Sequence, residues 1–230
     1  MRLECKGLTF TYPESDAMVI QDLHFSMDGP GFHAVFGPSG VGKTSFARLL
    51  ATWEDRPELP IHTTGIRTIL YSYNIERLPG WSSTGRHLDR VCLPDRQDLK
   101  NRLVEIFRLG PLLDARFSQL SMGQQNRMNL LRYLLQDFDL LILDESLGNV
   151  DEKLRQTILL TIKDLFAHKM FLYISHNLME VARFCKDILV LTDPSRTKQS
   201  KIISGLDDTT GSVQDNVSLN QVMLEVMNAF

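Results

Sequence analysis

Gly37-Pro38-Ser39-Gly40-Val41-Gly42-Lys43-Thr44 carries the spacing G-x-x-x-x-G-K-[ST]. Glycines at these places let backbone N–H groups turn inward around phosphate oxygens, and a helix opening at the end of the loop adds positive potential. In this pattern Lys43 reaches the β- and γ-phosphates of a nucleoside triphosphate, and the Thr44 hydroxyl is offered to Mg²⁺. Further on, the apolar run Leu140-Leu141-Ile142-Leu143 ends in two carboxylates, Asp144 and Glu145. A buried parallel strand delivers its last residues to the carboxyl edge of its sheet, where ligands bind. There Asp144 is placed to hold Mg²⁺, directly or through water, and Glu145 to polarise the water that attacks the γ-phosphate. His176 follows a third apolar run, Met170 to Ser175, and so reaches the same edge.

The elements that must position these groups can be read from hydrophobic periodicity and turn signals. Residues 3–12 and 18–27 read as strands, Asp28-Gly29-Pro30-Gly31 as a turn, and Phe32 to Phe36 as a short buried strand leading into the glycine-rich loop. Lys43 to Trp53 reads as a helix with Phe46, Leu49, Leu50 and Trp53 on one stripe. Residues 54–65 read as loop, Arg67 to Tyr73 as a strand, and 74–97 as broken structure with Pro79, Gly80, Gly85 and Pro94. Helices are expected at about 99–107, 122–135, 152–167 and 177–184, and strands at 140–143, 170–175 and 188–191. Strands alternating with helices make this an α/β fold with a largely parallel sheet. Residues 75–134 hold no convincing strand and read as an inserted helical lobe between 1–74 and 135–205. In the tail, 206–230, Ser218 to Gln221 reads as a capping box opening a helix striped by Leu219, Val222, Met223, Val226 and Met227.

The chain has 230 residues, 43% hydrophobic and 23% charged, which suits one globular domain and disfavours disorder. A net charge of -3 advertises no nucleic-acid partner. Cys5, Cys92 and Cys185 are scattered without metal-ligand spacing, which fits free thiols in a reducing compartment. No apolar run is long enough to span a bilayer, and the N-terminal residues lack the apolar core of a secretory signal. A cytoplasmic chain is therefore expected, with membrane contact only through partners.

The phosphate loop alone is common to kinases, GTPases and motor ATPases. Leu120-Ser121-Met122-Gly123-Gln124, lying ahead of Asp144, resembles the L-S-G-G-Q signature of the ABC ATPases. Gln125-Asn126-Arg127 and Arg132 continue that family's pattern. Tyr12 stands where the family has an aromatic that stacks on adenine, Asn74 where it has its Q-loop glutamine, Gly148-Asn149-Val150-Asp151 looks like its D-loop, and Ser175-His176 like its switch histidine. The resemblance covers about residues 3 to 205. It implies a P-loop NTPase core of RecA-like type, an inserted helical lobe and a small N-terminal antiparallel β region. It also implies a dimer in which ATP lies between the phosphate loop of one subunit and the signature of the other. Residues 37–45, Tyr12 and Asn74 then hold the nucleotide, Ser45 among them, and Ser121, Gly123 and Gln124 clamp the partner's γ-phosphate. Thr44, Asn74 and Asp144 serve the metal, and Glu145, His176 and Lys43 serve catalysis, His176 by a hydrogen bond to the γ-phosphate.

Asn74 is one methylene shorter than the family's glutamine, Met122 replaces a signature glycine, Asn149 and Val150 replace Ala and Leu, and Ser146 replaces a proline usual in importers. None of these changes removes Lys43, Thr44, Asp144, Glu145 or His176. A lone ATPase implies separate transmembrane permease subunits, and an importer also a solute-binding protein. Arg77-Leu78-Pro79-Gly80-Trp81 weakly resembles a stretch of importers for nitrate, sulfonates, taurine and thiamine precursors, and residues 74–90 are the expected permease contact. An exporter or lipid-extraction ATPase is the alternative within the family, and a soluble ABC protein without a transport role a further one.

Overall fold

The computed structural model describes residues 1–14, 17–74, 76–78, 81–194, 199–212 and 215–230. Strands β1 (Arg2–Thr11) and β2 (Met18–Asp28) pair antiparallel, and β4 (Ile61–Thr64) lies antiparallel on the other edge of β1. A second sheet has the order β5-β6-β7-β3-β8-β9, formed by β3 (Gly31–Phe36), β5 (Ile69–Tyr73), β6 (Leu140–Asp144), β7 (Met170–Ile174), β8 (Asp187–Leu191) and β9 (Ser200–Ser204). Its first five strands run parallel and β9 runs antiparallel to β8.

Both faces of this sheet are covered, so its central strands are apolar throughout. Leu141, Leu143, Phe171 and Tyr173 face one core, shared with α4 (Met122–Leu134) and α5 (Glu152–Leu165). Leu140, Ile142, Met170, Leu172 and Ile174 face the other, shared with α1 (Lys43–Ala51) and the antiparallel sheet. Helix α5 starts where the Asp151 carboxylate accepts the N–H of Leu154 at 2.9 Å, and buries Leu154, Ile158, Leu159 and Ile162. Each such side chain contributes about 1.5–3 kcal/mol on leaving water.

Four expectations need correction. Residues 54–65 include β4, whose four residues are too few to show a period and gain their partner only at the edge of β1. Residues 74–97 include α2 (Thr84–Val91). Gly85, read as a breaker, is a close-packing residue: a Cβ there would meet the Leu113 carbonyl oxygen at 3.0 Å. Ser83 caps this helix and Leu88 is buried beneath it. Strand β9 is a further element, and its sequence gives little signal because only Ile202 and Ile203 are apolar among polar neighbours. The tail helix, α7 (Asn216–Met227), is capped by Asp215, whose carboxylate accepts the N–H groups of Val217 and Ser218; Ser218 lies inside the helix. Its Val226 is fully buried against the chain's own core, and Phe230 meets Phe36 at 6.0 Å, while Met227 faces outward. The remaining helices are α3 (Gln97–Ile106) and α6 (Leu178–Phe184).

Strand order sets the site. The neighbours β5, β6, β7 and β3 run parallel, so their carboxyl ends lie side by side. Those ends deliver Asn74, Asp144 with Glu145, Ser175 with His176, and the loop from Gly37. The chain crosses from β3 to the far strand β5 and returns before placing β8 on the other side of β3, making a topological switch point there.

Candidate active site

The phosphate loop opens α1 with Gly42 as its N-cap, at φ 102° and with no side chain to satisfy the helix's first amides. Those amides are left to point at whatever fills the loop, an arrangement suited to anions. Beside it lies a cavity of about 280 Å³. Ser39, Gly40, Lys43, Thr44 and Ser45 line one side, and Glu145 and His176 the other. The sheet therefore brings together groups far apart in the chain. Ser121, Gly123 and Gln124 are not among the residues lining this cavity.

Lys43 is only 6% exposed, and its ammonium donates to the carbonyl oxygens of Gly37 and Pro38, each at 2.8 Å. Burial lowers its pKa, and the negative charges of Glu145 and Asp144 oppose that shift. Asp144 ends β6 almost fully buried, with Oδ2 accepting the hydroxyl of Tyr71 at 2.9 Å. Burial and the adjacent Asp144 charge drive the Tyr71 pKa far up, so the phenol stays a donor. Tyr71 was not singled out from sequence; its alternation with Tyr73 on β5 was the available signal.

Glu145 adopts φ 53°, unusual for a residue with a Cβ. Such strain persists where surroundings over-determine it. Here its N–H donates to Ile174 O at 3.0 Å, its carbonyl accepts Gly148 N–H at 2.9 Å, and Ser146 Oγ donates to Ser72 O at 2.8 Å. The serine that replaces an expected proline thus ties the turn to β5. His176 Nε2 lies 2.5 Å from Glu145 Oε1, with both side chains partly open to solvent. Behind them, Arg155 joins the buried Glu180 to Val150 O, and Tyr173 donates to Glu180 at 3.0 Å.

Tyr12, 41% exposed, shares a hydrogen bond of 2.8 Å with Ser45 and meets the ring of Phe10 edge-on. Asn74 continues β5 through its N–H to Asp144 O at 3.1 Å, but its side-chain Oδ1 accepts from Asn126. Ser121 and Gln124 form a reciprocal capping box that opens α4. Gly123 presses on the D-loop so closely that a Cβ would overlap the carbonyl oxygen of Asn149. Two departures from the family pattern touch each other, Asn149 Nδ2 donating to Met122 Sδ at 3.1 Å. Pro79 and Gly80 of the stretch compared with importers lie outside the described residues.

Among the described residues no three His, Cys, Asp or Glu side chains form a metal cage. Mg²⁺ carried with a nucleotide needs only one or two carboxylates, since phosphates and water fill the remaining positions. Asp144 fits that demand: Tyr71 donates to one oxygen, no hydrogen bond among the described residues engages the other, and Thr44 stands in the first turn of α1.

The chain is 29% identical to the molybdenum import ATP-binding protein ModC of Saccharophagus degradans, over 88% of its own length and 61% of the relative's. It is 32% identical to ModC of Brucella suis over 81% and 57%, and 29% identical to the maltose/maltodextrin import ATP-binding protein MalK of Yersinia pestis over 76% and 52%. The chain thus spans between half and about three fifths of the length of these relatives. The fold matches that of a bacterial Atm1-family ABC exporter solved with ATP bound, with a TM-score of 0.79 at 20% identity over 99% of this chain and 42% of that one. The family model described as ABC transporter matches residues 20–148, from β2 through the phosphate loop and signature to the turn after Glu145, and the chain belongs to that family.

Proposed function

We propose that the chain binds and hydrolyses ATP as the nucleotide-binding subunit of a membrane importer, which it energises by closing a dimer around ATP. The observation that carries this reading is the single cavity joining Lys43 and Thr44 to Glu145 and His176.

The loop amides and Lys43 bind the phosphates, the ammonium exchanging two backbone carbonyls for charged oxygens, and Tyr12 offers its ring to adenine. Thr44 and Asp144 would hold Mg²⁺, and Asn74, whose side-chain oxygen accepts from Asn126, would be a further candidate. Mg²⁺ bound there would supply neutralisation of phosphate charge. Glu145 accepts the proton of the attacking water, whose oxygen bonds to the γ-phosphorus as the bond to the β–γ bridging oxygen breaks, leaving ADP and phosphate. His176 holds Glu145 Oε1, which leaves Oε2 to the water, and reaches the γ-phosphate with its imidazole. Ser121, Gly123 and Gln124 open a helix whose amides complete the site of a second copy.

No helix among the described residues is long and apolar enough to cross a membrane. In this reading transmembrane permease subunits carry the solute, a solute-binding protein delivers it, and this chain sits on the cytoplasmic face. The named relatives are import subunits, which supports import as the direction. Residues 74–90, of which 75, 79 and 80 lie outside the described residues, are the stretch offered to the permease, with Trp81 76% exposed.

The test pairs co-purification with the membrane subunits and ATP binding by calorimetry in Mg²⁺. The chain should be retained by those subunits, and Lys43→Ala should bind ATP at least about tenfold more weakly, since charge-assisted hydrogen bonds contribute about 1.5–3 kcal/mol. Equal affinity in variant and wild type contradicts the phosphate-loop assignment, and absence of any membrane subunit contradicts the transport role.

A further inference from the structure

Helix α4 carries a polar seam along the face turned to the chain leaving β5. Asn126 Nδ2 donates to Asn74 Oδ1 at 3.0 Å, Asn129 Nδ2 to Glu76 O at 2.8 Å, and Tyr133 Oη to Glu76 Oε1 at 3.0 Å, with Arg132 on the same carboxylate. The seam fastens the inserted lobe to the end of the strand beside Asp144.

Asn126 differs from the others because it reaches further. Its amide nitrogen also donates to Gly148 O, at 2.7 Å, so both of its N–H groups are used. Gly148 closes the turn that holds Glu145 at positive φ. Asn126 is 2% exposed, and its amide is enclosed between the end of β5, the Glu145 turn and its own helix. The same α4 begins at Ser121. One buried amide therefore joins the group this chain keeps for its own site, Glu145, to the group it lends to a second copy, Ser121. It also holds the Asn74 carbonyl oxygen, the only atom of that side chain able to ligate a metal.

We propose that Asn126 is a positioning residue for ATP hydrolysis: it fixes the Glu145 turn and Asn74 to the signature helix, so that the lent half-site and the kept half-site move as one body. The proposal rests on the ATPase reading above and adds to it a residue that touches no nucleotide. A signature helix drawn onto a partner's phosphate carries Asn126 with it, and thereby sets the pose of Glu145 and of Asn74 together. Misplacement of a reacting group by about 1 Å can cost about a hundredfold in rate.

Asn126→Ala, Asn74→Ala and the double variant are compared with wild type in three measurements: kcat per folded molecule, affinity for a non-hydrolysable ATP analogue, and melting temperature. Asn126→Ala should lose between about tenfold and a hundredfold in kcat, with analogue affinity within about twofold of wild type because Asn126 does not line the nucleotide cavity. The double variant should fall no further than Asn126→Ala alone, because groups acting as one unit are not additive. If Asn126→Ala is not recovered folded, Asn126→Ser, which keeps one donor of two, should show an intermediate kcat. A purely packing role would lower the melting temperature and leave kcat intact, and that outcome overturns the proposal. So do losses that simply multiply in the double variant. Lys43→Ala run in parallel separates the two readings. If wild type hydrolyses ATP, Lys43→Ala does not, and Asn126→Ala keeps full kcat, the positioning role alone falls. If wild type hydrolyses no ATP, both fall.

Discussion

The imidazole of His176 stands 2.5 Å from the carboxylate of Glu145, across the gap between the ends of β7 and β6. The contact engages one oxygen of Glu145, and Glu145 and His176 both line the cavity shared with Lys43. His176→Ala should therefore lower kcat by about 10²–10⁴, the range for loss of a group serving proton transfer. Nucleotide affinity should change far less. Unchanged turnover in the variant would remove His176 from the mechanism.

Tyr71 acts on the site through Asp144. Partners that orient a metal-holding carboxylate typically change metal affinity about 10–100-fold when removed. Tyr71→Phe should shift the Mg²⁺ dependence of ATP hydrolysis to higher concentration by about tenfold, with ATP affinity in the absence of Mg²⁺ unaltered. An unchanged Mg²⁺ titration would mean that the hydroxyl only fills space.

His33 links stability to pH. Full burial lowers its imidazole pKa below the usual value despite the Gly29 carbonyl and Asp187 Oδ2 at 3.0 Å, with Lys186 adding to the lowering. Below pH about 6.5 the unfolded chain takes up a proton that the folded chain refuses. Unfolding free energy should thus fall between neutral pH and pH about 5, read as a lower urea midpoint, and His33→Gln should flatten the slope over that window. An equal slope in the variant would assign the pH dependence elsewhere.

Sharing of each site between two copies can be tested by mixing two inactive variants, Lys43→Ala and Ser121→Arg. In a mixed dimer one site collects both defects, and the other combines intact Lys43 from one chain with intact Ser121 from its partner. Mixing should restore ATP binding at the interface. No recovery, with mixed dimers shown to form, would place both residues in one site of a single chain.

Much of this site was legible before the fold was seen. The loop from Gly37 to Thr44 and the Asp144–Glu145 pair are fixed-spacing features at strand ends, where residue type and backbone direction together dictate chemistry. What sequence left out are relations made by register and packing. Tyr71 faces Asp144 only because Tyr71 pairs with Ile142 and Tyr73 with Asp144. Asn126 bridges two loops distant in the chain, and its environment exists only after α4 packs on the sheet. Asn74 is a metal-reaching amide only by its match to the family's Q-loop position, and its oxygen is engaged by Asn126. Helix α2 hid because Gly85 carries two meanings, breaker and close packer, and only the Leu113 carbonyl decides between them.

The central claim is that Glu145 takes the proton from water that attacks bound ATP, and Glu145→Gln tests it most directly. Glutamine preserves the shape of the side chain and removes its basicity. Measured together, ATP binding and steady-state phosphate release should separate: affinity retained within about twofold, turnover reduced by about 10² or more, and an ATP-bound dimer accumulating on size exclusion. Turnover equal to wild type, with ATP bound equally well, would contradict the account by placing the base on another residue.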